Sequence, residues 1–184
     1  AYPRDALTAR VKALRAAMPK TLGLHYAMKA NPMPAVVQHF STLVDGIDVA
    51  SALEMQVALD TGMPAKEISF AGPGKRKEEI IQAVAAGITI NVESTREIVE
   101  ANLAGKALNV KPRLALRVNP DFELKSSGMK MGGGPKQFGL DVELIPDALK
   151  MIHACGAVFV GFHIYAGSQN LKADSLADAH TKTV

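Results

Sequence analysis

Short apolar runs alternate with amphipathic stretches along this whole chain, and that alternation confines it to architectures in which nearly every strand is followed by a helix. The first amphipathic stretch covers residues 5–17, where Leu7, Val11 and Leu14 fall at helical spacing before Pro19 closes it. An apolar run, 22–28, then ends at Lys29-Ala30-Asn31-Pro32, and 34–43 reads as the helix that follows. Four more strand-helix pairs are expected: 44–49 with 51–60, 68–71 with 77–86, 88–92 with 94–103, and 114–118 with 142–154. A sixth strand is expected over 157–165. Gly62, Gly87, Gly105 and Gly156 stand where helix C-termini favour a left-handed residue. Ser94 and Glu97 have capping-box spacing.

Such repetition means a parallel sheet, although an open doubly wound sheet and a closed barrel both satisfy the periodicity. With 184 residues the chain is long enough for one sizeable core. Its 21 basic side chains nearly offset its 18 acidic ones, and neither sign forms a block, so charge gives no argument for nucleic acid or a membrane surface. The expected partner is a small molecule. A lone cysteine, Cys155, rules out an internal disulfide and fits a reducing compartment, for which the cytoplasm is the default. No apolar run reaches the ~18 residues of a membrane span, and the first residues lack a signal-peptide pattern.

In parallel β/α architectures the active site lies at the carboxyl ends of the strands, and here those ends are polar. Lys29 and Asn31 finish the first strand, Asp48 and Ser51 the second, Asn91 and Glu93 the fourth, Arg117 and Asn119 the fifth, and His163, Tyr165 and Ser168 the sixth. Two readings fit Lys29. A desolvated amine there is nucleophilic and suited to a Schiff base with an aldehyde cofactor; equally, a lysine can snorkel to solvent from a strand end.

Tyr26-Ala27-Met28-Lys29-Ala30-Asn31, followed by Asp48-Val49-Ala50-Ser51 and Glu54, resembles the fold-type III pyridoxal-phosphate-dependent decarboxylases, the family of diaminopimelate and ornithine decarboxylases. Phe70-Ala71-Gly72-Pro73-Gly74-Lys75, Asn91-Val92-Glu93-Ser94, Leu116-Arg117-Val118-Asn119-Pro120, Phe138-Gly139 and Gly167-Ser168-Gln169 continue the match in family order, over nearly the whole chain. The stretches 128–139 and 163–170 most resemble the subgroup associated with exosortase and exopolysaccharide gene systems.

The resemblance implies an α/β fold of the (β/α)8 TIM-barrel type, alanine racemase-like, present here as about six strand-helix units. It implies pyridoxal 5'-phosphate joined to Lys29, the same lysine then moving protons, and decarboxylation of a diaminopimelate-, ornithine- or lysine-like amino acid. Asp48 and Arg117 would flank the cofactor ring, and Ser168 would donate to its phosphate. Alignment on Gly167-Ser168-Gln169 puts Tyr165 where the family usually has a ring-stacking histidine, so His163 would lie one layer behind. The glycine-rich stretch 126–136 is assigned to substrate contact or closure, with Lys130 or Lys136 as candidates to meet a substrate carboxylate. Gln137 separates Lys136 from Phe138-Gly139, so Lys136 does not simply inherit the lysine that precedes Phe-Gly in the familiar decarboxylases.

A complete barrel of this type takes eight strands and roughly 250 residues. Residues 1–184 are therefore expected to form part of one, inactive alone, with unpaired edges at strands one and six. The later strands and a C-terminal β-domain, through which the family forms homodimers, would lie outside this chain. Two alternatives are carried: a pyridoxal-phosphate-dependent racemase on the same barrel, and a non-catalytic barrel acting as a binding or regulatory module. Gly72-Pro73-Gly74-Lys75 lacks the flanking residues of a phosphate-binding P-loop, and the glycines at 132–134 do not open a helix directly after a strand. His25, His39, His153, His163 and His180 show no metal-ligand spacing.

Overall fold

The computed structural model describes residues 2–120, 129–130, 137–165, 167–168 and 172–183. Helix α1 (Arg4–Ala17) precedes β1 (His25–Ala27), and α2 (Pro34–Ser41), β2 (Gly46–Val49), α3 (Ala52–Asp60), β3 (Ile68–Phe70), α4 (Lys77–Ala86), β4 (Thr89–Val92) and α5 (Thr95–Leu108) alternate after it. Next come β5 (Arg113–Asn119), the two-residue strands β6 (Met129–Lys130) and β7 (Leu140–Asp141), α6 (Ile145–Ala154), β8 (Val158–Ile164), β9 (Gly167–Ser168) and α7 (Ala173–Thr183).

Strands β1, β2, β3, β4, β5 and β8 lie side by side in that order, all parallel, and β7 extends the pairing at the carboxyl end of β5. The order never reverses. A doubly wound sheet needs a reversal, because its second half runs back from a switch point, so the strands wind in the single direction of a barrel. Among the described residues β1 and β8 each pair on one side only, as expected for the first and last strands.

Residues facing the helices form the core. Ile47, Ile68, Phe70, Ile90, Leu114 and Leu116 from the sheet, with Ile88 just before β4, are almost completely buried against Val37, Ala58, Ile80, Ala83, Ile98, Ala148 and Ile152 from the helices. Each large aliphatic side chain among them contributes about 1.5–3 kcal/mol. Tyr26 stacks on Phe40 of α2 with ring centres 4.0 Å apart, which fixes it on the helix side. Its neighbours His25 and Ala27 therefore face the other side, and the register Ala27–Asp48–Ser69 carries that inner face across the sheet.

The structure departs from the sequence pattern at two element ends. Helix α5 runs past Gly105 to Leu108, and Asn109, at φ 55°, supplies the left-handed residue. Gly105 is instead a contact point: a Cβ there would stand 2.7 Å from Pro112 Cδ. The first strand stops at Ala27, because Met28–Ala30 tighten into a 3-10 turn. Gly62, Gly87 and Gly156 do take left-handed conformations.

Candidate active site at the carboxyl ends of the strands

Three of the helices are fastened to the strand ends by one device. At α3, Ser51 Oγ accepts from the Glu54 N–H while the Glu54 carboxylate accepts from the Ala50 N–H at 2.7 Å. At α5, Ser94 Oγ accepts from the Glu97 N–H and Glu97 accepts from the Glu93 N–H at 2.8 Å. Glu79 accepts from the Arg76 N–H at the start of α4 and, with its other oxygen, from the Ala52 N–H at the start of α3. Each carboxylate lies at a helix N-terminus, where free N–H groups and the helix dipole favour negative charge. The loops that carry the site are pinned as a result.

The inner face holds a chain of polar groups. Asp48 Oδ1 lies 3.0 Å from His25 Nδ1 and accepts from Ser69 Oγ at 2.7 Å, and Asn91 Nδ2 donates to Ser69 Oγ at 3.1 Å. Burial alone raises the Asp48 carboxyl, but the hydrogen bonds from His25 and Ser69 and the nearby imidazoles bring it below the usual carboxylate range. The hydrogen bond to Asp48 raises His25 against the effect of burial. His163, the register partner of Arg117, is pushed down by burial and then by the Arg117 charge. Its Nδ1 is buried without a hydrogen-bond partner among the described residues.

Toward solvent, the Tyr165 ring gathers two cations: Lys29 Nζ lies 5.4 Å from its centre and the Arg117 guanidinium carbon 5.9 Å. Lys29 is exposed, so of its two readings the solvent-reaching lysine describes its surroundings here. It stands on the turn after a strand whose outer side is unpaired among the described residues, so nothing there removes it from water. Its amine makes no hydrogen bond or ion pair among the described residues.

Behind Arg117 is a buried cluster that sequence patterns did not single out. Lys75, Glu93, Glu97 and Arg117 are all less than a tenth exposed. Lys75 Nζ lies 3.1 Å from Glu97 and 3.8 Å from Glu93, and Arg117 Nη1 donates to Glu93 at 3.0 Å. Two cations and two carboxylates balance, which lets the group stay buried. Burial nonetheless holds the Glu97 carboxyl above its usual range, with Lys75 opposing. The Gly-Pro-Gly-Lys segment thus delivers a counter-ion, and the only sequence signal for it is the Glu93/Glu97 pair at the next strand end.

The remaining expected residues are placed in part. Asn31 Oδ1 accepts from the Met33 N–H, so this side chain shapes the turn, and Asn119 Nδ2 donates to Asp141. The antiparallel pair β6–β9 sets Met129 opposite Ser168 and Lys130 opposite Gly167 along the backbone. The Lys130 and Ser168 side chains, and Lys136 altogether, lie outside the described residues. No group of His, Cys, Asp or Glu suited to a metal occurs among the described residues, and no described helix is long and apolar enough to cross a membrane.

Residues 4–184 match the family described as pyridoxal-dependent decarboxylase, pyridoxal binding domain. Over 185 residues the chain is 34% identical to the L-glutamyl-[BtrI acyl-carrier protein] decarboxylase of Niallia circulans, covering 100% of this chain and 43% of that protein. It is 35% identical over 190 residues to the diaminopimelate decarboxylase of Aquifex aeolicus, covering 100% of this chain and 44% of that one. The crystal structure of diaminopimelate decarboxylase from Helicobacter pylori complexed with L-lysine superposes with a TM-score of 0.83 at 29% identity, over 99% of this chain and 47% of that chain. The chain thus spans less than half the length of each of these relatives.

Proposed function

The chain belongs to the pyridoxal-dependent decarboxylase family, and on that premise we propose that the full-length protein decarboxylates an amino acid, with the Lys29 amine holding pyridoxal phosphate as a Schiff base. The observation that carries this reading is the Lys29 amine, unpaired among the described residues and beside the Tyr165 ring, on the turn that follows Ala27, the register partner of Asp48. An aldehyde cofactor needs a free amine to join, a flat surface to lie against and fixed charge around its ring, and these residues fit all three.

When bound, pyridoxal phosphate supplies an electron sink for the pair left behind as the carboxylate departs. The chain's residues bind and orient. Tyr165 offers a ring to stack on, but cannot become cationic near neutral pH as the family's usual histidine does. Asp48, kept ionised by His25 and Ser69, provides a fixed negative charge. Arg117 provides a positive one, and Lys29 Nζ, once the substrate amine has taken its place, is free to carry a proton. Ser168 is proposed to donate to the cofactor phosphate, and Lys130 or Lys136 to meet a substrate carboxylate.

The relatives are named for diaminopimelate and for an L-glutamyl group on an acyl-carrier protein. Both support an α-amino acid as the substrate class. Residues 1–184 are proposed as the first part of the barrel, completed in a cytoplasmic homodimer by later strands and a C-terminal β-domain.

The test is carbon dioxide release by the full-length protein, saturated with pyridoxal phosphate, from meso-diaminopimelate, L-ornithine, L-lysine and L-glutamate. Turnover of at least one, falling by about a hundredfold or more in Lys29→Ala, is expected. Turnover unaffected by Lys29→Ala would contradict the role of that lysine. Racemised substrate without carbon dioxide would point to a racemase, and no cofactor binding to a non-catalytic module.

A further inference from the structure

We propose that Glu93 is a positioning residue of this site: its buried carboxylate sets where the Arg117 guanidinium lies beside Tyr165, and thereby how the bound cofactor is oriented. The inference rests on the proposed pyridoxal-phosphate reading and adds a residue to it.

Glu93 directly follows β4 and is 7% exposed, so its charge has to be met by donors brought to it. Three elements bring them. Oε1 accepts from the Gly72 N–H, in the turn after β3, at 2.6 Å, and from Arg117 Nη1 on β5 at 3.0 Å. Oε2 accepts from the Gly139 N–H, just before β7, at 3.2 Å. Lys75 Nζ stands 3.8 Å away and lies closer to Glu97.

Both backbone donors are glycines for a physical reason. Gly72 and Gly139 have φ of +137° and +75°, which other residues rarely adopt. At Gly139 a Cβ would also stand 2.9 Å from the Arg117 carbonyl oxygen and 3.1 Å from the Asn119 nitrogen. The chain on either side of 120–136 is therefore drawn onto Arg117 and onto the carboxylate that holds it.

Arg117 is fixed at one nitrogen by Glu93, and its guanidinium carbon lies 4.9 Å from the centre of the Phe138 ring and 5.9 Å from that of Tyr165. Phe138 is next to Gly139, so the Glu93–Gly139 bond locates one ring and the Glu93–Arg117 bond locates the cation between the two. Loss of the carboxylate would leave Arg117 charged, yet free to leave Tyr165.

The experiment uses the full-length protein with pyridoxal phosphate, as wild type, Glu93→Gln, Arg117→Ala and the double variant. The readouts are cofactor affinity and the visible circular dichroism of the borohydride-reducible band, which reports how the ring sits in its asymmetric pocket. Glu93→Gln is expected to retain the reducible band, lower its dichroism and weaken affinity by about tenfold. The double variant is expected to be no weaker than Arg117→Ala, because Glu93 acts through Arg117. Losses that multiply, or a Glu93→Gln protein with the wild-type dichroism and affinity, would overturn the proposal. If Glu93→Gln does not fold, Glu93→Asp, whose shorter arm cannot reach both Arg117 and Gly139, enters the same comparison under the same criteria. An absent band in the wild type sinks the cofactor reading and this one with it; a normal wild-type band with multiplying losses sinks only the role of Glu93.

Discussion

The imidazole of His163 faces Asp48, Glu93, Arg117 and Lys75, and burial together with Arg117 outweighs the two carboxylates, so its pKa lies below the ordinary 6.5. The unfolded chain then binds more protons than the folded one between that lowered value and about 6.5, and stability falls as pH drops through this window. His25 has the opposite sign: its contribution, raised by Asp48, is present below 6.5 and is lost as pH rises through the folded value. His163→Gln in the cofactor-free protein should therefore lose less Tm than wild type between about pH 6.5 and 5.5, measured by thermal unfolding across that range. An equal loss would mean that His163 does not titrate as described. Residues with a motif around them, such as Lys29, Asp48, Arg117 and Tyr165, are legible in the sequence. Lys75 and Glu93 also stand in motifs, but their pairing is not legible there, because a buried ion cluster is assembled by register between strands and leaves only scattered charges in the linear pattern.

At the scale of elements, the strands and helices follow from apolar period, while their ends depend on local chemistry. Ser94 and Glu97 announce the start of α5, but the Glu97 carboxylate reaches back to the Glu93 N–H rather than to Ser94, which ties the helix to the site. The end of α5 is harder to read. Gly105 looks like a stop and is a packing contact, with Pro112 and the Val110 carbonyl standing where a Cβ would have to go. Overpacking there, about 1–3 kcal/mol, exceeds the roughly 1 kcal/mol that alanine returns in helix propensity. Gly105→Ala should therefore lower the denaturant midpoint without changing its slope. A raised midpoint would show that Pro112 yields and that Gly105 is only a weak helix former.

For the whole molecule, parallel alternation left an open sheet and a barrel both possible, and strand order decided between them. The unreversed order from β1 to β8, with both outer strands paired on one side, is the arc of a barrel. That arc brings the end of β1 and the end of β8 to one site, where Lys29 and Tyr165 meet although they lie far apart in the linear sequence.

 Their contact at 5.4 Å is a property of the arc alone.

Peptide mapping would show whether Lys29 is the amine that holds the cofactor. The full-length protein would be incubated with pyridoxal phosphate, reduced with borohydride, digested and analysed by mass spectrometry. The pyridoxyl group is expected on the peptide that contains Lys29, and is expected to be absent from that position in Lys29→Ala. A label on another lysine, such as Lys75 or Lys130, or no label at all in the wild type, would contradict it.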